Sequence, residues 1–166
     1  HDSFKIIPLI GLSQHQQKLR MTNGDLIYPF FKNIDSLNST YDTKWQSWWC
    51  GMKILYNIQN DCHIFCSLKY NDANYEAEAN WNRRKDFAHP RSFEHKAEGY
   101  GITSNAGISY NLYDKLKLGL NYSWVEWEAN DGNDRTYFKT GRIVESQLDK
   151  VEWESQSFRL NLSVAF

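Results

Sequence analysis

Apolar and polar residues alternate with period two along most of the chain. Phe158, Leu160, Leu162, Val164 and Phe166 fall on one phase, and Arg159, Asn161, Ser163 and Ala165 on the other. Leu116, Leu118, Leu120, Tyr122 and Trp124 alternate with Lys117, Gly119, Asn121 and Ser123. The same rhythm runs through Tyr100–Leu112, Cys62–Tyr70 and Trp48–Tyr56. It is less clean at the start, where Ile7 and Leu9 interrupt the phase of Phe4, Ile6, Pro8, Ile10 and Leu12. Side chains of a strand point alternately to opposite faces, so this period predicts strands, and no helical periodicity competes with it. The pattern predicts six of them, over about 4–18, 45–57, 62–79, 96–112, 115–129 and 152–166.

A soluble sandwich also alternates, so three further features decide the class. The polar phase is small and hydrophilic, as in a wet lumen. Aromatics collect at the ends of the apolar faces: Trp48 and Tyr56, Tyr100 and Tyr110, Tyr122 and Trp124. Rings with one apolar and one wet end belong at a membrane–water boundary, so these six form a predicted girdle. The chain also closes on an alternating strand ending in Phe166, which resembles the C-terminal insertion signal of bacterial outer-membrane proteins; Phe158, Leu160, Leu162, Val164 and Phe166 carry it. The fold class expected is therefore all-β, an antiparallel transmembrane β-barrel, with residues 1–166 as one domain. Short connections near Gln59–Asp61 and Tyr113-Asp114 alternate with long polar ones at Met21–Lys44, Asn80–His95 and Ala129–Lys150. Outer-membrane barrels show this layout, with short periplasmic turns and long outer loops.

Six strands are too few to close such a barrel, since single-chain bacterial ones begin at about eight. An open edge in lipid costs several kcal/mol for each unsatisfied backbone group. Three completions are open: a hairpin hidden in Met21–Lys44, with Leu26–Ile34 as its candidate; strands preceding His1; or a wall supplied by another chain.

Within this frame the strands resemble the omptin barrel. The resemblance rests on Trp49-Cys50-Gly51-Met52-Lys53-Ile54-Leu55-Tyr56, on Phe65–Tyr70, on Tyr100–Trp124 and on the closing strand, and covers roughly residues 45–166. It implies a ten-stranded fold in the outer membrane. Omptins are proteases with acidic residues and an Asp-x-His pair near the outer rim. The matching strand here reads Asn71-Asp72-Ala73-Asn74-Tyr75-Glu76, and the chain's one Asp-x-His, Asp61-Cys62-His63, sits at a short turn at the opposite end. The pattern of the barrel is present without the omptin catalytic Asp-x-His.

Composition removes other classes. The chain has 166 residues, 19 Lys plus Arg against 20 Asp plus Glu, and a net charge of −1, so no sequence-wide nucleic-acid interface is expected. Its longest apolar run, Ile6–Leu12, is far short of the roughly 18 residues of a membrane helix. Cys50, Cys62 and Cys66 form neither a zinc spacing nor a disulfide framework and read as small apolar residues.

Candidate chemistry concentrates in Trp81–Lys96. Arg83, Arg84, Lys85, Arg91 and Lys96 outnumber Asp86 and Glu94 there, which suggests a loop that contacts lipopolysaccharide phosphates or docks a partner. Asp86, His89, Glu94 and His95 are a conceivable acid–base group, and His89 with His95 a conceivable metal pair, although nothing in the spacing makes either converge. Beyond the girdle, Tyr75, Ala77, Ala79 and Trp81 alternate with Glu76, Glu78 and Asn80, which suggests walls projecting above the membrane. Glu76, Glu78, Glu98, Glu126 and Glu128 are expected to form ion networks inside the barrel with Lys53, Lys69, Lys117 and Arg159. Asn130–Asp134 reads as a tight turn rather than a Ca²⁺ loop. Ser104 falls on the lipid phase, without the His that a deacylase serine would need.

The resulting expectation is a non-enzymatic outer-membrane barrel used for surface interaction or as a structural component of an envelope assembly. An omptin-like hydrolase is the alternative, and a small passive pore a further one. No catalytic residue, metal or cofactor is assigned. The expected partners are the lipid bilayer, lipopolysaccharide, the barrel-assembly machinery during insertion and a protein completing or surrounding the barrel.

Overall fold

The computed structural model describes residues 4–26, 32–59, 61–113 and 115–164. Six strands follow in chain order: β1 (Phe4–Leu26), β2 (Lys32–Gln59), β3 (Cys62–Asn80), β4 (Phe93–Tyr113), β5 (Leu116–Tyr137) and β6 (Ile143–Val164). Each pairs antiparallel with the next, giving one sheet in the order β1-β2-β3-β4-β5-β6 that curls into a half-barrel. The curl brings side chains of the two edge strands together across the concave side: the rings of His15 on β1 and Trp153 on β6 lie 4.6 Å apart.

The strands are longer than the alternation predicts, and the long polar connections are mostly strand. Arg20 pairs with Thr40, and the ladder continues to Leu26 opposite Lys32. The hairpin expected within Met21–Lys44 is therefore the outer end of β1–β2 itself, with residues 27–31 of its candidate tip outside the described residues. That removes one of the three ways to complete the wall. Likewise β5 and β6 run on to Tyr137 and Ile143, joined by a turn in which Gly141 takes a φ of +84°. The expected turn at Asn130–Asp134 is a bulge within β5: Asp131 has a φ of +52°, and the pairing with β4 shifts between Lys96 and Glu98. Asp and Asn tolerate this left-handed conformation, and a bulge needs one such residue.

Register fixes what each face carries. The convex face bears Phe4–Leu12, Trp48–Tyr56, Cys62–Tyr70, Tyr100–Tyr110, Leu116–Trp124 and Phe158–Val164 on their apolar phases. Each stretch is about nine residues, the length with which a tilted strand crosses a bilayer. Ile10 and Leu12 are 80 % and 84 % exposed there, which an aqueous surface would not favour and lipid does. Beyond these stretches the convex face turns acidic and basic. The concave face changes in the opposite sense. At membrane level it carries mostly Ser, Asn, Gly and Lys, with Ile7, Leu9, Trp49, Leu55 and Phe65 among them; in the outer half it holds the buried core of Trp45, Ala73, Tyr75, Ala77, Trp127 and Ala129.

This core exists because β3 offers alanines where its neighbours offer rings. Ala73 and Ala77 leave room for Trp45 from β2 to reach Trp127 from β5, with ring centroids 5.5 Å apart. Tyr75 packs against Trp45 at 4.6 Å. Gly101 lies directly beneath Trp127: a Cβ there would sit 2.7 Å from the indole. Small residues facing large ones are how a narrow curved wall fills its interior.

Candidate functional site

The girdle residues mark where the convex face changes character. At its outer edge Trp48 donates its indole N–H to Asp72 at 2.8 Å, and Trp124 donates to Glu154 at 3.2 Å. Tyr122 stacks on Phe158 and donates to Gln156. Tyr100 stacks with Tyr70 at 6.3 Å. Tyr56 and Tyr110 lie at the short-turn end. Phe158, Leu160, Leu162 and Val164 line the convex face of β6, and Phe166 lies outside the described residues.

Above the girdle the walls carry Asp72, Glu76, Glu78, Glu98, Glu126, Glu128, Glu152 and Glu154 on the convex side. Here the structure corrects the expected interior ion networks. The glutamates face outward in the outer half, whereas Lys53, Lys69, Lys117 and Arg159 face inward at membrane level, so the two sets never meet. Glu78 pairs instead with Arg91 at 2.5 Å, and Glu128 and Glu152 share Lys150 at 3.1 and 2.6 Å. Two of the inward cations rest on rings: Lys53 lies 4.9 Å from the Phe65 centroid and Lys69 4.2 Å from Trp49. Among the described residues, the membrane-level concave face carries Lys5, Lys53, Lys69, Lys117 and Arg159 and no carboxylate. A cavity of about 500 Å³ opens there, lined by Lys117, Asn121 and Asn161 together with Leu55 and Phe65.

The five basic residues predicted as one contact loop separate into two groups. Arg91, at the base of the loop, and Lys96, on β4, both pair with Glu94, at 3.4 and 3.0 Å. Tyr137 donates to the same carboxylate at 2.5 Å. The Tyr137 hydroxyl and the Lys96 ammonium hold the Glu94 carboxyl below the usual carboxylate range. Arg83, Arg84 and Lys85 stand at the outermost tip, and Arg84 forms a two-pronged pair with Asp86 at 3.0 and 2.8 Å.

The loop is pinned rather than loose. The Ser92 hydroxyl accepts from the Trp81 amide and donates to the Ala88 carbonyl, and His89 bonds Asn80 at 2.8 Å. Ala88 donates to Tyr137, Lys139 donates to Asp86, and Phe87 bridges Phe138. The loop is thereby stitched onto the β5–β6 turn, over the ring cluster of Phe87, Phe93 and Phe138.

The candidate acid–base residues do not come together. Asp86 is held by Arg84, His89 by Asn80, and Glu94 faces outward while its neighbour His95 faces inward. The expected metal pair of His89 and His95 is divided in the same way.

Register reveals a grouping that sequence spacing does not. His95 lies opposite Asp134, with Nε2 3.4 Å from Oδ1, and its Nδ1 is 3.2 Å from the Tyr41 hydroxyl. Tyr41 in turn bonds Tyr75 at 2.6 Å. Burial, reinforced by Tyr41, pushes the Tyr75 phenol well above its ordinary range, so it remains a neutral hydroxyl. Asp134 Oδ1 is buried and makes no hydrogen bond, so the approach of Nε2 to it is a contact and not a bond. A cleft of about 640 Å³ lies beside it, walled by Leu19, Met21, Tyr41, Trp81 and Phe93.

A strand pattern of this kind, with an apolar convex belt, aromatic edges and a polar concave face, defines a transmembrane β-barrel protein. The chain belongs to the Protochlamydia outer membrane protein family, whose sequence profile matches residues 1–166. It is thus an outer-membrane protein. Its fold is similar to the crystal structure of the outer membrane protease OmpT from Escherichia coli, with a TM-score of 0.72 and 12 % identity. The similarity covers 98 % of this chain and 57 % of the protease. No curated protein matches the sequence. At 12 % identity the likeness is one of fold, and it agrees with the omptin-like barrel that the strand pattern implies.

Proposed function

We propose that the protein is a non-enzymatic outer-membrane barrel whose projecting outer half is a rigid platform for surface interaction. One observation carries this reading: the outer half has its own buried core and a loop stitched to the neighbouring turn. An ordinary connecting loop needs neither, because its backbone is satisfied by water. Pre-organisation of this kind lowers the ordering cost of binding. Further support comes from the separation of Asp86, His89 and Glu94, which leaves these proton-transfer groups facing different surroundings. The test uses proteoliposomes carrying the folded protein, incubated with whole cells. Retention above that of protein-free liposomes, removed by protease trimming of the outer half, is the expected result. Equal retention of both would contradict the reading.

A second reading, a passive pore, is favoured by the carboxylate-free cationic concave face at membrane level. A lumen lined by one sign of charge concentrates the opposite ion. The core of Trp45, Tyr75 and Trp127 above it would form the constriction. Planar-bilayer recording decides: anion-selective steps that weaken in Lys53→Glu support conduction, and absent steps remove it.

A further inference from the structure

We infer that the outermost tip, assembled from the β3–β4 loop and the β5–β6 turn, is a binding surface for an anionic polysaccharide. This rests on the platform reading above and names its partner chemistry.

The patch is composite. Arg83, Arg84 and Lys85 come from one loop, and Lys139 and Arg142 from the turn to which it is stitched. The backbone bond from Lys139 to Asp86 and the Phe87–Phe138 bridge fix the two groups side by side. Arg84 stacks over Phe87 at 4.2 Å and Arg142 over Phe138 at 5.9 Å, with the two rings 5.5 Å apart. Five cations thus share a small area with one carboxylate, Asp86, which is occupied by Arg84. Among the described residues, Arg83, Lys85, Lys139 and Arg142 have no carboxylate partner. That contrasts with Arg91 at the base of the loop and with Lys96, Arg135 and Lys150 on β4, β5 and β6, all paired. On the β3–β6 side the cations below the tip are neutralised, and four of the five at the tip are left free; Lys18, Arg20 and Lys44, on the far walls of β1 and β2, also have no carboxylate partner among the described residues.

Height selects the partner. Lipid phosphates lie at the level of the girdle, and from Asp72 to Asn80 the wall rises roughly 20 Å above it, taking about 3.3 Å per residue and a tilt of about 40°. On β3 to β6 the wall in between carries more carboxylates than cations, and its Lys96, Arg135 and Lys150 are already paired. The free cations are therefore presented away from the protein's own membrane. A duplex nucleic acid needs a long basic track, whereas this patch is confined to two loop tips above an acidic flank. The exposed ring of Trp81, joined to the same loop by the bond from Arg84 to its carbonyl, adds a flat apolar face of the kind on which sugar rings stack.

The test compares the detergent-folded full chain with a variant carrying Arg83→Ser, Lys85→Ser, Lys139→Ser and Arg142→Ser. All four positions lie outside the core, so the heat-modifiable gel shift should be unchanged. The probes are dextran sulfate, neutral dextran, vesicles containing lipid A, and duplex DNA. Dextran sulfate should bind the native protein, weaken as salt rises, and bind the variant about tenfold or more weakly, with little binding of neutral dextran. Tighter binding of lipid A vesicles or DNA than of dextran sulfate, or equal binding of dextran sulfate by the variant, would overturn the proposal. Liposomes that still adhere to cells, with adhesion indifferent to the variant and to dextran sulfate, would sink this inference and leave the platform reading standing. Loss of adhesion by the native protein itself would sink the platform reading.

Discussion

Each strand is two structures end to end. From Cys62 to Tyr70, β3 shows lipid an apolar side and shows the concave interior His63, Phe65, Ser67 and Lys69, with Phe65 under the Lys53 ammonium. From Asp72 to Glu78 the same strand shows water Asp, Asn and Glu, while Ala73, Tyr75 and Ala77 are buried inside. The backbone geometry and the hydrogen-bonded ladder are continuous through the change. What inverts is the solvent on the convex side, and with it the face that apolar residues must occupy. In lipid the outside is already apolar and the inside is free to be wet. In water the outside is polar, and the concave side is where apolar area can be removed from solvent. The contrast explains why the core of this protein lies outside the membrane-spanning segment.

The sharpest way to break this comparison is to remove the outer core alone. Trp127→Ala should cost about 3–5 kcal/mol, the range for an aromatic lost from a packed core. The cost should register as protease sensitivity of the outer half in a urea series, while the heat-modifiable band of the membrane half persists. Loss of both together would mean that the two halves are not separable. Gly101→Val should act in the same direction, because its side chain would collide with the indole.

Next comes a charge placed at two heights on one face. Leu68→Arg, on the convex side at membrane level, should cost about 2–4 kcal/mol in folding into bilayers. Glu76→Arg, on the same side of the same strand above the girdle, should change stability by within about 0.5 kcal/mol. Similar costs at both heights would place lipid or water on both.

A smaller effect is expected from Glu94. Its carboxyl titrates below its unfolded value of about 4.3, so its contribution is complete above that pH and drains as pH falls through the folded value. Protease cleavage of the loop from Trp81 to Ser92 should therefore rise as pH falls below about 4 in the native protein. Glu94→Gln should show weaker protection at neutral pH and a flatter profile. An unchanged profile would remove Glu94 from the loop's support.

The membrane half was legible because lipid enforces one rule on every strand: the convex residues from Cys62 to Tyr70 and from Leu116 to Trp124 are apolar without interruption. The outer half obeys the same period with charged residues outside, so Ala129–Lys150 reads as polar chain and its strand content is hidden. The left-handed residue at Asp131 also shifts the phase, which conceals that Asp134 stands opposite His95. The tip was half legible. Arg83, Arg84 and Lys85 announce themselves as a run, but Lys139 and Arg142 join them only through contacts between two loops about 50 residues apart in sequence. The expected pairing of the glutamates with Lys53, Lys69, Lys117 and Arg159 failed for a related reason, since composition does not say which face or height a charge occupies.

The most direct test of the inversion is a label scan along β3, with Cys50, Cys62 and Cys66 first replaced by Ala. Spin labels at Ile64, Leu68, Tyr70, Asp72, Ala73, Asn74, Tyr75 and Glu76 in bilayers report access to a lipid-soluble and to a water-soluble relaxant. The account predicts lipid access through Tyr70 and water access from Asp72 onward, with labels at Ala73 and Tyr75 shielded from both. A single uniform environment from Ile64 to Glu76, or water access at Tyr75 equal to that at Glu76, would contradict it.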